Sequence, residues 1–186
     1  MATQVHKIFI SYHHGTTPYE GDKEYREKLE RILSASGIAI NYSVPYDAIG
    51  SDLMTETIRQ KIRDEYLRDA TVTVVLVGKD TWRRKHVDWE IGSSLRDTAL
   101  NPRAGLVGLL LPTYLRSTNG GYNPYTIPPR LWDNIQCKYA KIYEWTENPE
   151  NLQSMIHEAF ITRTSVNPDI SRPSFGKNRA GDSWKE

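Results

Sequence analysis

Glu90 sits in the stretch His86-Val-Asp-Trp-Glu-Ile-Gly-Ser-Ser94, with His86 one helical turn before it and Ser94 one turn after. Ser93 is close by, and Val87, Ile91 and Leu95 make the apolar stripe of the same helix. A carboxylate in such a place can stabilise positive charge that develops during a reaction. Trp82 and Trp89 flank it, and their rings can desolvate the acid or stack on a flat base. The plain alternative is a solvated glutamate pairing with His86, the ordinary state of a charged helix residue.

Position argues for chemistry. Val72-Thr-Val-Thr-Val-Val77 is a continuous β-branched apolar run, read as a strand buried on both faces, and it ends at Gly78 just before the helix of Glu90. Open α/β sheets collect ligands outside the carboxyl ends of such strands. On the same rim Lys7-Ile-Phe-Ile-Ser-Tyr12, a first strand, delivers Ser11, Tyr12 and His13. Ile38 to Tyr42 reads as a second strand, and the rim after it supplies Asn41, Ser43, Tyr46 and Asp47, which serve equally well as turn formers.

The remaining elements must hold that rim. Asp22 is expected to cap a helix with Tyr25, Leu29, Ile32 and Leu33 on one face, and Asp52 another with Leu53, Ile58, Ile62 and Tyr66 or Leu67. Gly105 to Leu111 reads as a fourth strand, and Tyr139 to Tyr143 as a fifth at a lysine-bearing edge. Pro149 suits the start of a final helix carrying Leu152, Ile156, Ala159 and Phe160. The alternation predicts an α/β three-layer sandwich around a central, mostly parallel five-stranded sheet. Residues 1–163 form this domain; residues 112–134 read as one long functional loop within it, and 164–186 as a polar tail of disordered composition.

Other chemistries fit poorly. Gly78-Lys79-Asp80-Thr81 resembles the end of a phosphate loop, but Thr73 occupies the place of the first glycine. No Gly-x-Gly-x-x-Gly follows the first strand, and Val77-Gly78 stands where a phosphoacceptor aspartate would be needed. Arg83-Arg84-Lys85 suits a diphosphate less well than it suits a solvated patch. His13 and His14 are adjacent and diverge, so no metal is expected, and Cys137 reads as inert packing.

Bulk composition bounds the setting. With 24 basic and 23 acidic residues the net charge is +1, which gives no electrostatic case for nucleic acid or an anionic membrane. One cysteine suits a reducing cytosol, and the N-terminus lacks a secretory h-region. The expected location is cytoplasmic.

Lys7-Ile-Phe-Ile-Ser-Tyr-His13, the Val72 strand, and Thr81-Trp82 to Val87-x-x-Glu90-Ile91 together resemble a TIR domain. The likeness is to the TIR-like, flavodoxin-like branch of bacteria and archaea that includes the NAD-consuming partner of Thoeris anti-phage defence. It covers roughly the first two-thirds of the chain in matching order, with nothing to carry over to 112–134 or the tail. No Trp-Cys pair precedes the glutamate, and the second loop lacks Arg-Asp-x-x-Pro-Gly, so receptor-style signalling surfaces are not expected.

The resemblance implies that Glu90 is catalytic and that Ser11, Tyr12, His13, Asn41, Ser43, Asp47 and Trp82 bind substrate. It implies an NAD glycohydrolase or cyclase that makes an ADP-ribose-derived signal nucleotide for a separate effector, with NAD as substrate and no resident cofactor. Segment 112–134 is then a lid. Two other classes compete: a non-enzymatic module working by self-association, and a nucleoside deoxyribosyltransferase-like N-glycosidase on a similar sheet.

Overall fold

A computed structural model of the chain describes residues 5–15, 22–41, 67–98 and 101–185, with backbone alone at positions 40 and 41. Within them β1 (His6–Ser11), β2 (Ala39–Asn41), β3 (Val72–Val77), β4 (Gly105–Leu110) and β5 (Ala140–Glu144) form one sheet. Every neighbouring pair is parallel, and the order is β2-β1-β3-β4-β5. The helices are α1 (Lys23–Ala35), α2 (Lys85–Ser94), α3 (Pro129–Gln136) and α4 (Pro149–Ser165).

Period-two alternation along the strands sends side chains to two separate cores. Ile8, Ile10, Val74 and Leu109 pack with Leu29 and Leu33 of α1 and with Leu152 and Ile156 of α4. Val75, Val77, Leu106 and Leu110 pack on the other face with Val87, Ile91 and Leu95 of α2 and Leu131 of α3. Gly105 lets α4 settle onto the sheet, since a Cβ there would stand 2.1 Å from the Ala159 carbonyl oxygen. None of the described helices is long and apolar enough to cross a membrane.

The chain runs outward from β1 to β2, then resumes on the other side of β1 with β3. The strand order therefore reverses between β1 and β3, the crevice where doubly wound sheets bind ligands.

Three expectations change. Residues 112–134 are not one loop: Pro124–Thr126 make a 3-10 turn, and α3 begins at Pro129. Proline at the first helical position lacks an N–H that would have had no partner, so it starts a helix well inside a segment whose composition suggests a loop. The lid drawn over the whole segment is thereby withdrawn from Pro129 onward, where Arg130, Leu131 and Asn134 are buried.

Asp22 stands at the N-cap of α1 but makes no capping bond with its side chain. Its carboxylate accepts hydroxyl protons from Thr113 (2.9 Å) and Thr81 (3.2 Å), binding the segments that leave β4 and β3.

The polar tail packs closely. Asn134 exchanges two hydrogen bonds with the Asp169 backbone, Arg172 pairs with Asp133 at 2.5 Å, and Trp184 donates its indole N–H to the Ile127 carbonyl at 2.9 Å. Composition read as disorder because few apolar side chains are present. Side-chain-to-backbone bonds and the buried Phe175 ring do the ordering instead. The helix expected from Asp52 lies outside the described residues, as do Ser43, Tyr46, Asp47 and the side chain of Asn41.

Candidate functional site

The register sets Ser11, the last residue of β1, level with Val75 near the end of β3. Ile8 and Ile10 face α1, so Phe9 and Ser11 face α2. The helix behind β3 returns across this edge and brings Glu90 to Ser11. The serine hydroxyl donates to Glu90 Oε2 at 2.5 Å. Glu90 is only 8% exposed, which removes the solvated alternative.

Burial dominates the electrostatics. Taking the carboxylate out of water pushes its pKa from 4.5 up to about 8, and the Ser11 hydrogen bond opposes that rise without cancelling it. At neutral pH the group is mostly protonated. A carboxyl with this balance is ionised readily by a cation placed beside it.

Histidine rings close the same rim. His86 Nε2 lies 3.3 Å from the Tyr12 carbonyl oxygen. Its pKa is lowered to about 3, first by burial and then by His14, so the ring is neutral and its Nε2–H donates to Tyr12. The His14 ring packs on Tyr12 (4.0 Å between centroids) and edge-on to His86 (5.1 Å). His86 thus serves the end of β1, and Glu90 pairs with Ser11 instead. No group of metal-ligating side chains occurs among the described residues.

The other candidates divide. Ser11, Tyr12 and His13 are all buried at the β1 exit. Ser94 donates to the Ile91 carbonyl at 2.9 Å and stays within its helix. Trp82 is buried and lines a separate cavity of about 300 Å³ with Tyr114, Asn123 and Thr126, and the Arg83 guanidinium lies over its ring at 5.0 Å. Trp89 packs with Phe9, Leu67 and Ala70 and donates its indole N–H to the Phe175 carbonyl at 2.8 Å. In the basic run Arg83 donates its guanidinium to the Gly181 carbonyl, and the Lys85 ammonium lies over the Trp89 ring at 5.0 Å.

Sequence reasoning missed Asp88. It is buried beside Glu90 on α2 and receives two N–H bonds from Arg130, at 3.0 and 3.3 Å. Gly92, one turn on, clears a path for that guanidinium, whose Nε would stand 3.1 Å from a Cβ. The signal available was the spacing of Asp88 and Gly92, which places both on one face.

A family profile described as "Thoeris protein ThsB, TIR-like domain" matches residues 9–114. That is more than half of the 186 residues, and it contains Ser11, Glu90 and the β1/β3 crevice. No curated protein matches the chain. On the strength of the profile match, the chain belongs to the TIR-like family of the Thoeris protein ThsB.

Proposed function

We propose that this protein breaks the bond between nicotinamide and ribose in NAD, as an enzyme of anti-phage defence. The observation that carries the reading is the Glu90 carboxyl, buried against Ser11 at the strand-order reversal. Ser11, Tyr12 and His13 would line the nucleotide, the family resemblance adds Asn41, Ser43 and Asp47, and Trp82, which lines a cavity of its own, is left out of the contact set.

The chemistry needs little from the protein beyond charge and placement. The pyridinium nitrogen already carries a positive charge, so when its bond to the ribose carbon breaks, the electron pair neutralises it. Nicotinamide then leaves as a neutral molecule without a general acid. The barrier lies in the oxocarbenium-like ribose, which a nearby carboxylate stabilises.

The cationic pyridinium ring of NAD favours the ionised form of Glu90, so binding would release the proton that the carboxyl holds. If water attacks the ribose carbon and loses a proton, the product is ADP-ribose. If a hydroxyl or ring nitrogen of the same nucleotide attacks, the product is cyclic. Either would act as a signal nucleotide read by a separate effector in the cytoplasm.

The test is Glu90→Gln in cells stimulated to activate the system, with NAD and its products followed by mass spectrometry of the lysate. NAD loss should disappear while the fold is retained. Undiminished turnover in the variant would refute the assignment. Offering plain nucleosides beside NAD separates this reading from deoxyribosyl transfer, which would consume the nucleosides.

A further inference from the structure

Helix α2 begins badly by its own sequence. Its N-cap is Arg84, which supplies no side-chain acceptor, and Arg83 and Lys85 add positive charge at an end that favours negative charge. The missing acceptor comes from far along the chain. Asn178 Oδ1 accepts the Lys85 amide proton at 2.9 Å, across 93 residues of sequence.

Besides the Arg83–Gly181 bond already described, three further bonds tie the same tail to this helix and its approach. The Phe175 amide donates to Asp88 Oδ2 at 3.0 Å, and the Phe175 carbonyl accepts from the Trp89 indole. The Arg179 amide donates to the Arg83 carbonyl at 2.8 Å. Phe175 itself is 6% exposed, and the Arg179 guanidinium covers its ring at 4.2 Å. The partners on α2 are Lys85, Asp88 and Trp89, so the strap grips the turn that leads into Glu90.

The geometry points to residues 172–185 as a strap that completes the start of α2 and fixes where Glu90 meets Ser11, with Asn178 as a positioning residue. The inference rests on Glu90 being the catalytic carboxylate. It adds that a helix without a local cap is set by a segment beyond the family match, which ends at Tyr114.

The test uses the full chain carrying Asn178→Ala, Phe175→Ala or Asn178→Asp. Loss of one cap should speed hydrogen exchange of the amides at Lys85 to Asp88 by about five- to tenfold, leaving the β3 amides unchanged. NAD turnover in Asn178→Ala should lose kcat by about tenfold with KM nearly constant, because an interaction with the reacting centre is displaced and substrate contacts are not. Asn178→Asp keeps an acceptor oxygen and should restore both.

Unchanged exchange in both alanine variants overturns the strap. Faster exchange with unchanged kcat overturns the positioning role. Should the parent protein consume no NAD even in stimulated cells, the functional reading fails by itself, and the strap is then decided by carboxyl NMR of Glu90. A titration midpoint that falls toward the ordinary glutamate range in Asn178→Ala supports it, and an unmoved midpoint overturns it.

Discussion

Asp88 and Glu90 stand two positions apart on α2 and are buried in opposite ways. Asp88 accepts two N–H bonds from the Arg130 guanidinium and a third from the Phe175 amide. Glu90, among the described residues, is met by the Ser11 hydroxyl. A carboxylate facing a guanidinium keeps its charge compensated, while one facing a hydroxyl is left to the cost of desolvation. One helix therefore carries a structural acid toward α3 and the tail and a poised acid toward β1.

Removing the guanidinium separates these roles. Arg130→Met leaves Asp88 buried without its cation, and such a loss typically costs about 3–5 kcal/mol. Urea unfolding should show it. Adding Asp88→Asn should recover a good part of the loss, because the uncompensated charge is then gone. A double variant as unstable as the single one would mean that packing around Arg130, not charge, dominates.

The pH dependence of stability has a sign that follows from two buried groups. Glu90 titrates near 8 when folded and at 4.5 when unfolded, so the folded state holds more protons in between and stability drops as pH rises through that window. His86 titrates near 3 when folded and at 6.5 when unfolded, so its contribution is lost as pH falls below 6.5. Between 4.5 and 6.5 the two trends oppose each other. Above that range Glu90 acts alone and should lower stability by about 2 kcal/mol by pH 8. Glu90→Gln should abolish this alkaline decline, measured as the difference between the two proteins in urea midpoint against pH. Parallel curves for the two would contradict the burial argument.

Ser11 bears on activity through the same carboxyl. Its hydroxyl lowers the Glu90 pKa, so Ser11→Ala should leave the acid still harder to ionise. NAD turnover at neutral pH should fall by about tenfold, since a typical hydrogen bond to a charged group is worth about 1.5–3 kcal/mol. The pH–rate profile should move to the alkaline side. A loss that is the same at every pH would instead assign Ser11 to substrate contact.

Much of this was legible in the sequence because it rests on patterns local to an element. The Val72–Val77 run, the apolar stripe of α2 and the glycine after β3 place Glu90 on the rim without any knowledge of partners. The pairing of Glu90 with Ser11, 79 positions apart, depends on strand order, which the alternation of elements restricts but does not state. The helix from Pro129 was hidden in a segment of loop-like composition, although proline starts a helix well. The role of Asn178 was hidden for another reason: a cap supplied from 93 residues away leaves no local trace except a helix that lacks one of its own.

Gly78 provides the last prediction, on the rigidity of the rim. A Cβ at this position would stand 2.3 Å from Asp22 Oδ1, closer than real contacts allow. The carboxylate cannot simply swing aside, because Thr81 and Thr113 both donate to it and the Gly78 amide donates in turn to Thr81 Oγ1 at 2.9 Å. Gly78→Ala should therefore cost about 2–3 kcal/mol, the range for disrupting a buried hydrogen-bonded group. Asp22→Ala removes the obstacle together with its two bonds, so in that background the glycine change should be nearly neutral. The double-mutant cycle should return a coupling of about 2 kcal/mol. An equal penalty for Gly78→Ala in both backgrounds would show that the glycine is required for its backbone and not for the closeness of Asp22.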